Sequence, residues 1–338
     1  MGQLDFNTSG EKKKLSGYDL SGYSLIGSDL AGANLAQAKL RGADLSGADL
    51  SGSDLTQCDL SGANLSGADL YQANLSGARL NGAIMTHCDG TSANFTDANL
   101  NAALLAYAKL PSAIFDNASL TATSLIDSDL SSASFKGAKM TGAILTRANL
   151  TEAILDSSKL FGAHLNEANL IGASLRHADL NSANLRLAKV DNADLLKASL
   201  FCVDASQTTL INSSLETANM RGANLSGSDL TDTRLEGADL SNALLNRSDL
   251  SRASLETSVL WAARISGAKL VKVNVKAADL KATGLDKSFA LSEFPDLEFC
   301  DLTQWDDRLY KRRSVSASYA KTIEQEANKR GFLSRLFR

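Results

Sequence analysis

A large apolar side chain returns at every fifth residue from Leu15 to Leu285. Of the 55 positions in that register, 44 are Leu. Met85, Phe95, Phe115, Phe135, Met140, Val190, Met220, Ile265 and Val275 keep the apolar character, and Gly90 and Ala205 lose it. A helical face repeats about every 3.6 residues and a strand face about every 2, so neither element explains the period. No insertion shifts the register, which rules out chance and low complexity.

The other four positions are patterned too. Two residues before each apolar position stands a small one, such as Ala33, Ala38, Ser53 or Cys58, with Asp or Asn between, as in "GADLSGADL". On an extended chain residues two apart face the same way, so the small residue and the Leu point inward and the Asp/Asn outward. The remaining two positions are typically Ser-Gly, the chemistry of a tight turn. Each pentad therefore predicts one short extended side followed by a corner.

Tandem A(D/N)LXX over residues 15–285 resembles the pentapeptide-repeat family. The resemblance implies an all-β solenoid, a right-handed quadrilateral β-helix with four pentads per coil. That gives about 13 coils and, at roughly 4.8 Å per coil, a rod about 65 Å long. The leucines would fill its inside, each stabilising by roughly 1.5–3 kcal/mol relative to exposure, largely offset by chain ordering. Coils are then stable only when stacked. Gly90 is expected to leave a void in its ladder or to mark a bend.

The ends read differently. Residues 1–14 form a polar leader with no apolar signal-like run, and Tyr18 and Tyr23 hold inward slots beneath it as a plug. The register dissolves after Leu285, and residues 286–302, rich in Phe and Leu, are expected to cap the last coil. A helix is predicted over 303–330, with Thr303 as N-cap, Asp306 and Asp307 in its first turn, and Gly331 after its last. The whole therefore reads as a solenoid with a C-terminal cap and an α-helical tail.

Residues 331–338 finish the chain as a basic amphipathic end. Phe332, Leu333, Leu336 and Phe337 share one helical face, with Lys329, Arg330, Arg335 and Arg338 around it. From Arg308 onward there are nine basic residues and two acidic. That is the pattern of an in-plane anchor on an anionic lipid surface. "KRGFLSRLF" is also similar to the C-terminal membrane-targeting helix of the bacterial Min-system ATPase. Docking on the solenoid and pairing as a homodimer through the C-terminal helix are the other readings of this segment.

Candidate chemistry is sparse. His87, His164 and His177 fall in different columns of a coil of twenty, no Cys/His spacing suggests zinc, and no nucleophile–base pair stands out. The expectation is no enzyme, no cofactor and no metal. Cys58, Cys88, Cys202 and Cys300 have no paired spacing, so reduced thiols are expected.

The informative departures are apolar residues in the outward slot. Ile84, Leu104, Ile144 and Leu244 fall in one column, and Ile114 and Ile154 on the opposite face. Phe161, Phe201 and Trp261 recur in one corner column. Such rows are candidate contacts for a protein partner whose identity the sequence does not give.

The expected function is a rod-like interaction scaffold in the bacterial cytoplasm, held peripherally at the inner face of the membrane by its tail. The resemblance also implies an alternative, an acidic DNA mimic that protects gyrase; a translocated effector is another. Overall charge argues against the mimic. Residues 1–285 carry 29 acidic and 24 basic residues, with Lys39, Lys109, Lys139, Lys159, Lys189 and Lys269 in outward slots, and nucleic-acid binding is not expected.

Overall fold

The computed structural model describes residues 14–280 and Thr283. Throughout that span each outward residue bridges, in parallel, the outward residue twenty positions on, from Lys14↔Asn34 to Val259↔Asp279. A left-handed backbone residue recurs every five positions, for example Gly42, Gly47, Gly52 and Gln57. Four corners per twenty-residue turn make a four-sided coil, and the coils stack as one β-helix.

The pentad composition follows from an account of its five backbone N–H groups, each of which needs an acceptor. The leucine donates to the outward residue one coil on, as Leu45 does to Asn64 O at 2.7 Å. The outward residue donates to the small residue one coil back, as Asn64 does to Ala43 O at 2.9 Å. The second corner residue donates upward (Gly47 to Ser66 O, 2.9 Å), and the small residue closes the turn on the preceding leucine (Ala48 to Leu45 O, 3.0 Å). The turn has positive φ at its third residue, as a type II turn requires.

That leaves the first corner N–H. Its acceptor is the outward Asp or Asn two residues earlier: Ser46 N donates to Asp44 Oδ1, Ser51 N to Asp49 Oδ1 and Ser66 N to Asn64 Oδ1. The outward slot is acidic or amidic because a short side chain there caps its own corner.

At several slots that hold Ser or Thr, the cap comes from one coil back. Thr121 N donates to Asn101 Oδ1, Phe201 N to Asn181 Oδ1 and Ile211 N to Asp191 Oδ1. Ser119, Ser199 and Thr209, in the slots, donate their hydroxyls to the same three side chains.

The interior is a continuous apolar column of Leu and small residues. Phe95, Phe115 and Phe135 stack within it, ring centroids 4.6 and 4.8 Å apart and nearly parallel. The void expected at Gly90 does not exist. A Cβ built there would stand 2.7 Å from Leu110 Cδ2, because Leu110 leans into the space. Most polar residues in the small inward slot donate to a backbone carbonyl, Ser128 Oγ to Leu125 O and Thr123 Oγ1 to Leu100 O one coil back, while Ser53 Oγ is buried without a partner. Cys58 and Cys88 are buried in that slot, and burial pushes both thiols up to about 12; Cys202 is exposed at a corner.

Tyr18 and Tyr23 lie exposed on the first described coil. The expected leader, cap, helix and basic end, with Lys329, Arg330, Phe332, Leu333, Arg335, Leu336, Phe337 and Arg338, fall outside the described residues.

Candidate interaction surface

The coil presents four sides, named here by one residue of each. In chain order the Ile84 side is followed by the Asp89 side, the Ile114 side and the Lys139 side. The register sends Ile84, Leu104, Ile144 and Leu244 to the Ile84 side, through the pairs Ile84↔Leu104, Ser124↔Ile144 and Asn224↔Leu244. Ile84, Leu104 and Ile144 fall within four consecutive coils; Leu244 stands five coils further on. Ile114 and Ile154 share the opposite side, bridged through Ser134.

These apolar residues carry a local cost. None can cap its corner, and among the described residues no protein acceptor takes the N–H of Thr86, Ala106 or Thr146 after Ile84, Leu104 and Ile144. The same holds for Asp116 and Asp156 after Ile114 and Ile154. A corner cap of this kind contributes about 0.5–1.5 kcal/mol. Ile84, Leu104 and Ile114 are well exposed, so little burial offsets the loss.

The corner beyond the Ile84 side extends the patch in a way sequence reading missed. The His87 ring stacks on Tyr107, centroids 5.1 Å apart and 7° from parallel, and Tyr107 is exposed. Ile126 lies half-buried in the neighbouring corner column, between the Tyr107 and Arg147 corners. The signal was available: positions 87, 107 and 127 share a column just as 84, 104 and 144 do.

Above the rings, Arg147 clamps Asp127 with two hydrogen bonds of 2.8 and 2.7 Å. Hydrogen bonds from Arg147 hold the Asp127 carboxyl below the usual carboxylate range.

The next side is acidic. Asp29, Asp49, Asp69 and Asp89 follow one another in the column, then Lys109, then Asp129. Lys109 Nζ lies 2.7 Å from Asp89 Oδ2. That bond, and the Asp129 and Asp69 charges beyond it, raise the lysine above its ordinary value. An apolar row thus runs beside a column whose stretch from Asp29 to Asp129 holds five aspartates and one lysine.

The aromatic corner column is not one patch. Phe161, Phe201 and Trp261 are each about half exposed, but they stand two and three coils apart, about 10 and 14 Å, with Asn181, Arg221 and Ser241 between. His87, His164 and His177 lie on different columns, as the register requires.

Comparison with known proteins agrees with the fold. The family model described as pentapeptide repeats matches eight copies, from residues 19–57 to residues 238–281. No curated protein matches the sequence. Among solved structures, HetL from the cyanobacterium Nostoc sp. strain PCC 7120, described as involved in heterocyst differentiation regulation, is 31% identical. That match covers 65% of this chain and 88% of HetL, with a TM-score of 0.44. QnrB1, a plasmid-mediated fluoroquinolone resistance protein, is 21% identical over 67% of this chain and 90% of its own, with a TM-score of 0.28. A pentapeptide repeat protein of the Arabidopsis thaliana thylakoid lumen is 31% identical over 41% of this chain and 70% of its own, with a TM-score of 0.16.

Proposed function

Because the chain belongs to the pentapeptide-repeat family, whose fold is a right-handed β-helix solenoid, we propose that it works by display, as a non-enzymatic scaffold whose Ile84 side docks a protein partner. The supporting observation is the row of Ile84, Leu104 and Ile144. A repeat that gives up corner caps to expose apolar side chains loses stability at those positions, and partner contact is what such residues offer in return. The basic amphipathic segment 329–338 is proposed to attach the rod peripherally to anionic lipid, with a helix over 303–330 as its stalk and about 13 coils in the rod. Among the described residues no helix is long and apolar enough to cross a membrane.

The charge pattern supports a protein scaffold over a duplex mimic. The run of aspartates lies on one side and is interrupted by Lys109, with Lys189 and Lys269 further along the same column, while Lys139 and Lys159 stack on another side.

The test is Leu104→Asn in the full-length protein. Asn restores the consensus and its Oδ1 reaches the Ala106 N–H, so the variant should unfold at a higher temperature than wild type while losing activity in the source cell. A lower unfolding temperature would mean that Leu104 serves the rod itself, and the docking reading would fall. Co-sedimentation with anionic vesicles tests the tail: Phe332→Glu with Phe337→Glu should abolish it.

A further inference from the structure

The geometry points to an occupant for the apolar row: the chain's own C-terminal segment, residues 329–338, docks in cis on Ile84, Leu104 and Ile144 and covers the partner surface until lipid draws it away. This rests on the scaffold reading for the statement that the covered surface serves a partner, and on the lipid reading of 329–338 for its release.

Three observations converge. The first is shape and polarity. Ile84 and Leu104 are 38% and 45% exposed, Ile144 follows two coils on, and Tyr107, 54% exposed, closes one edge. The strip spans about 15 Å at roughly 4.8 Å per coil, the length of about ten helical residues at 1.5 Å each. Such a strip accepts the apolar face of one short amphipathic helix, as a groove accepts an i, i+3, i+4 set of anchors.

The second is charge. A helix on that strip has its polar flank over the Asp89 side, where Asp69, Asp89 and Asp129 surround the single Lys109. Lys329, Arg330, Arg335 and Arg338 carry the complementary sign. The opposite apolar pair, Ile114 and Ile154, is two slots rather than three, with Ser134 between them.

The third is reach. Ile144 lies about seven coils back from Leu280, about 33 Å, and Ile84 about ten coils back, about 47 Å. Residues 281–328, 48 in all, separate the segment 329–338 from Leu280. Such a stretch spans roughly 160 Å extended and about 70 Å even if fully helical, so 329–338 can return to either end of the strip. Tethering makes the contact intramolecular, at an effective concentration of roughly millimolar, so even weak docking is occupied.

The same Phe and Leu side chains cannot face the strip and a bilayer together. Lipid binding therefore uncovers Ile84, Leu104 and Ile144, and the rod offers its partner surface at the membrane. By linkage, whatever weakens docking must strengthen lipid binding.

The experiment uses the full chain with Tyr107 replaced by p-benzoylphenylalanine and irradiated in dilute solution, with cross-linked peptides mapped by mass spectrometry. The expected result is a cross-link to residues 329–338 at monomer mass, suppressed by anionic vesicles and by Ile84→Asn with Leu104→Asn. Cross-links only at dimer mass would assign the strip to a second copy. Cross-links that avoid 329–338 would leave the strip without this occupant. Either overturns the proposal.

In vesicle co-sedimentation the Ile84→Asn, Leu104→Asn chain should bind about tenfold more tightly than wild type, the competitor having been removed. Unchanged binding together with no cis cross-link refutes docking while the membrane reading stands. A cis cross-link in a chain that never pellets refutes the membrane reading while docking stands.

Discussion

Leu110 fills the space that Gly90 leaves: a Cβ at Gly90 would meet Leu110 Cδ2 at 2.7 Å, with Phe95 Cε2 at 3.8 Å behind it. The missing leucine and the oversized Phe95 belong to one coil, and the local volume balances. Restoring the consensus with Gly90→Leu should therefore overpack the core and cost about 1–3 kcal/mol. Phe95→Leu in the same chain should recover most of it, a coupling that chemical unfolding of the two single variants and the double variant measures.

Ala205 is the opposite case. Leu185, Ala205 and Leu210 keep 3%, 3% and 4% exposure deep in the rod, where the leucines from Leu215 to Leu245 show none. Val190, also smaller than Leu, lies in the same stretch. Ala205→Leu should fill that space and stabilise by about 0.5–2 kcal/mol, seen as a higher Tm. An unchanged or lower Tm would mean that no such room exists.

These two positions show how far the sequence could be read. The five-residue period set which residues face inward and which share a column, so the row of Ile84, Leu104 and Ile144 was legible from spacings of twenty and forty. Whether a missing leucine leaves a hole was not legible, because it depends on how Leu110 and Phe95 choose their rotamers. The capping role of the outward Asp and Asn was also missed, since they read simply as solvated residues. Their pairing with the first corner N–H appears only when every backbone donor is followed to its acceptor. Once known, it turns an apolar residue at that slot from repeat drift into a lost hydrogen bond. Composition gave no hint of the His87–Tyr107 stack, although the shared column did.

Leu187 sits at a corner with φ of 62°, where most coils prefer Gly, Asn or another small polar residue. A non-glycine residue held in that left-handed region costs of order 1 kcal/mol. Leu187 is also exposed, so its side chain recovers little by burial. Leu187→Gly should raise stability by about 0.5–1 kcal/mol after the added freedom of the unfolded chain is charged against it. Thermal unfolding checks the sign; a drop in Tm would show that the Leu187 side chain contributes contacts worth more than the strain.

Acid should weaken the rod through its inter-coil ion pairs. Arg147 on Asp127, Arg252 on Asp232 and Lys109 on Asp89 each join a carboxylate to a base one coil on. Hydrogen bonds from the arginines hold Asp127 and Asp232 below their ordinary value of 3.8. Burial pushes Asp89 up, but its bonds from Lys109 and Thr91 outweigh that and its value also falls. A carboxylate lowered in the folded state stabilises fully above its unfolded value, and the contribution disappears as pH falls through the folded one. Stability should therefore be level from neutral pH to about pH 5 and decline below the ordinary 3.8. The pairs are solvent-screened, so the loss is modest and shrinks in high salt. Corner caps from Asn, such as Asn64 to Ser66 N, do not titrate and hold the coils through the same range. Replacing Arg147 and Arg252 with Gln should flatten the acid limb of Tm against pH, and an undiminished limb would place the acid sensitivity elsewhere.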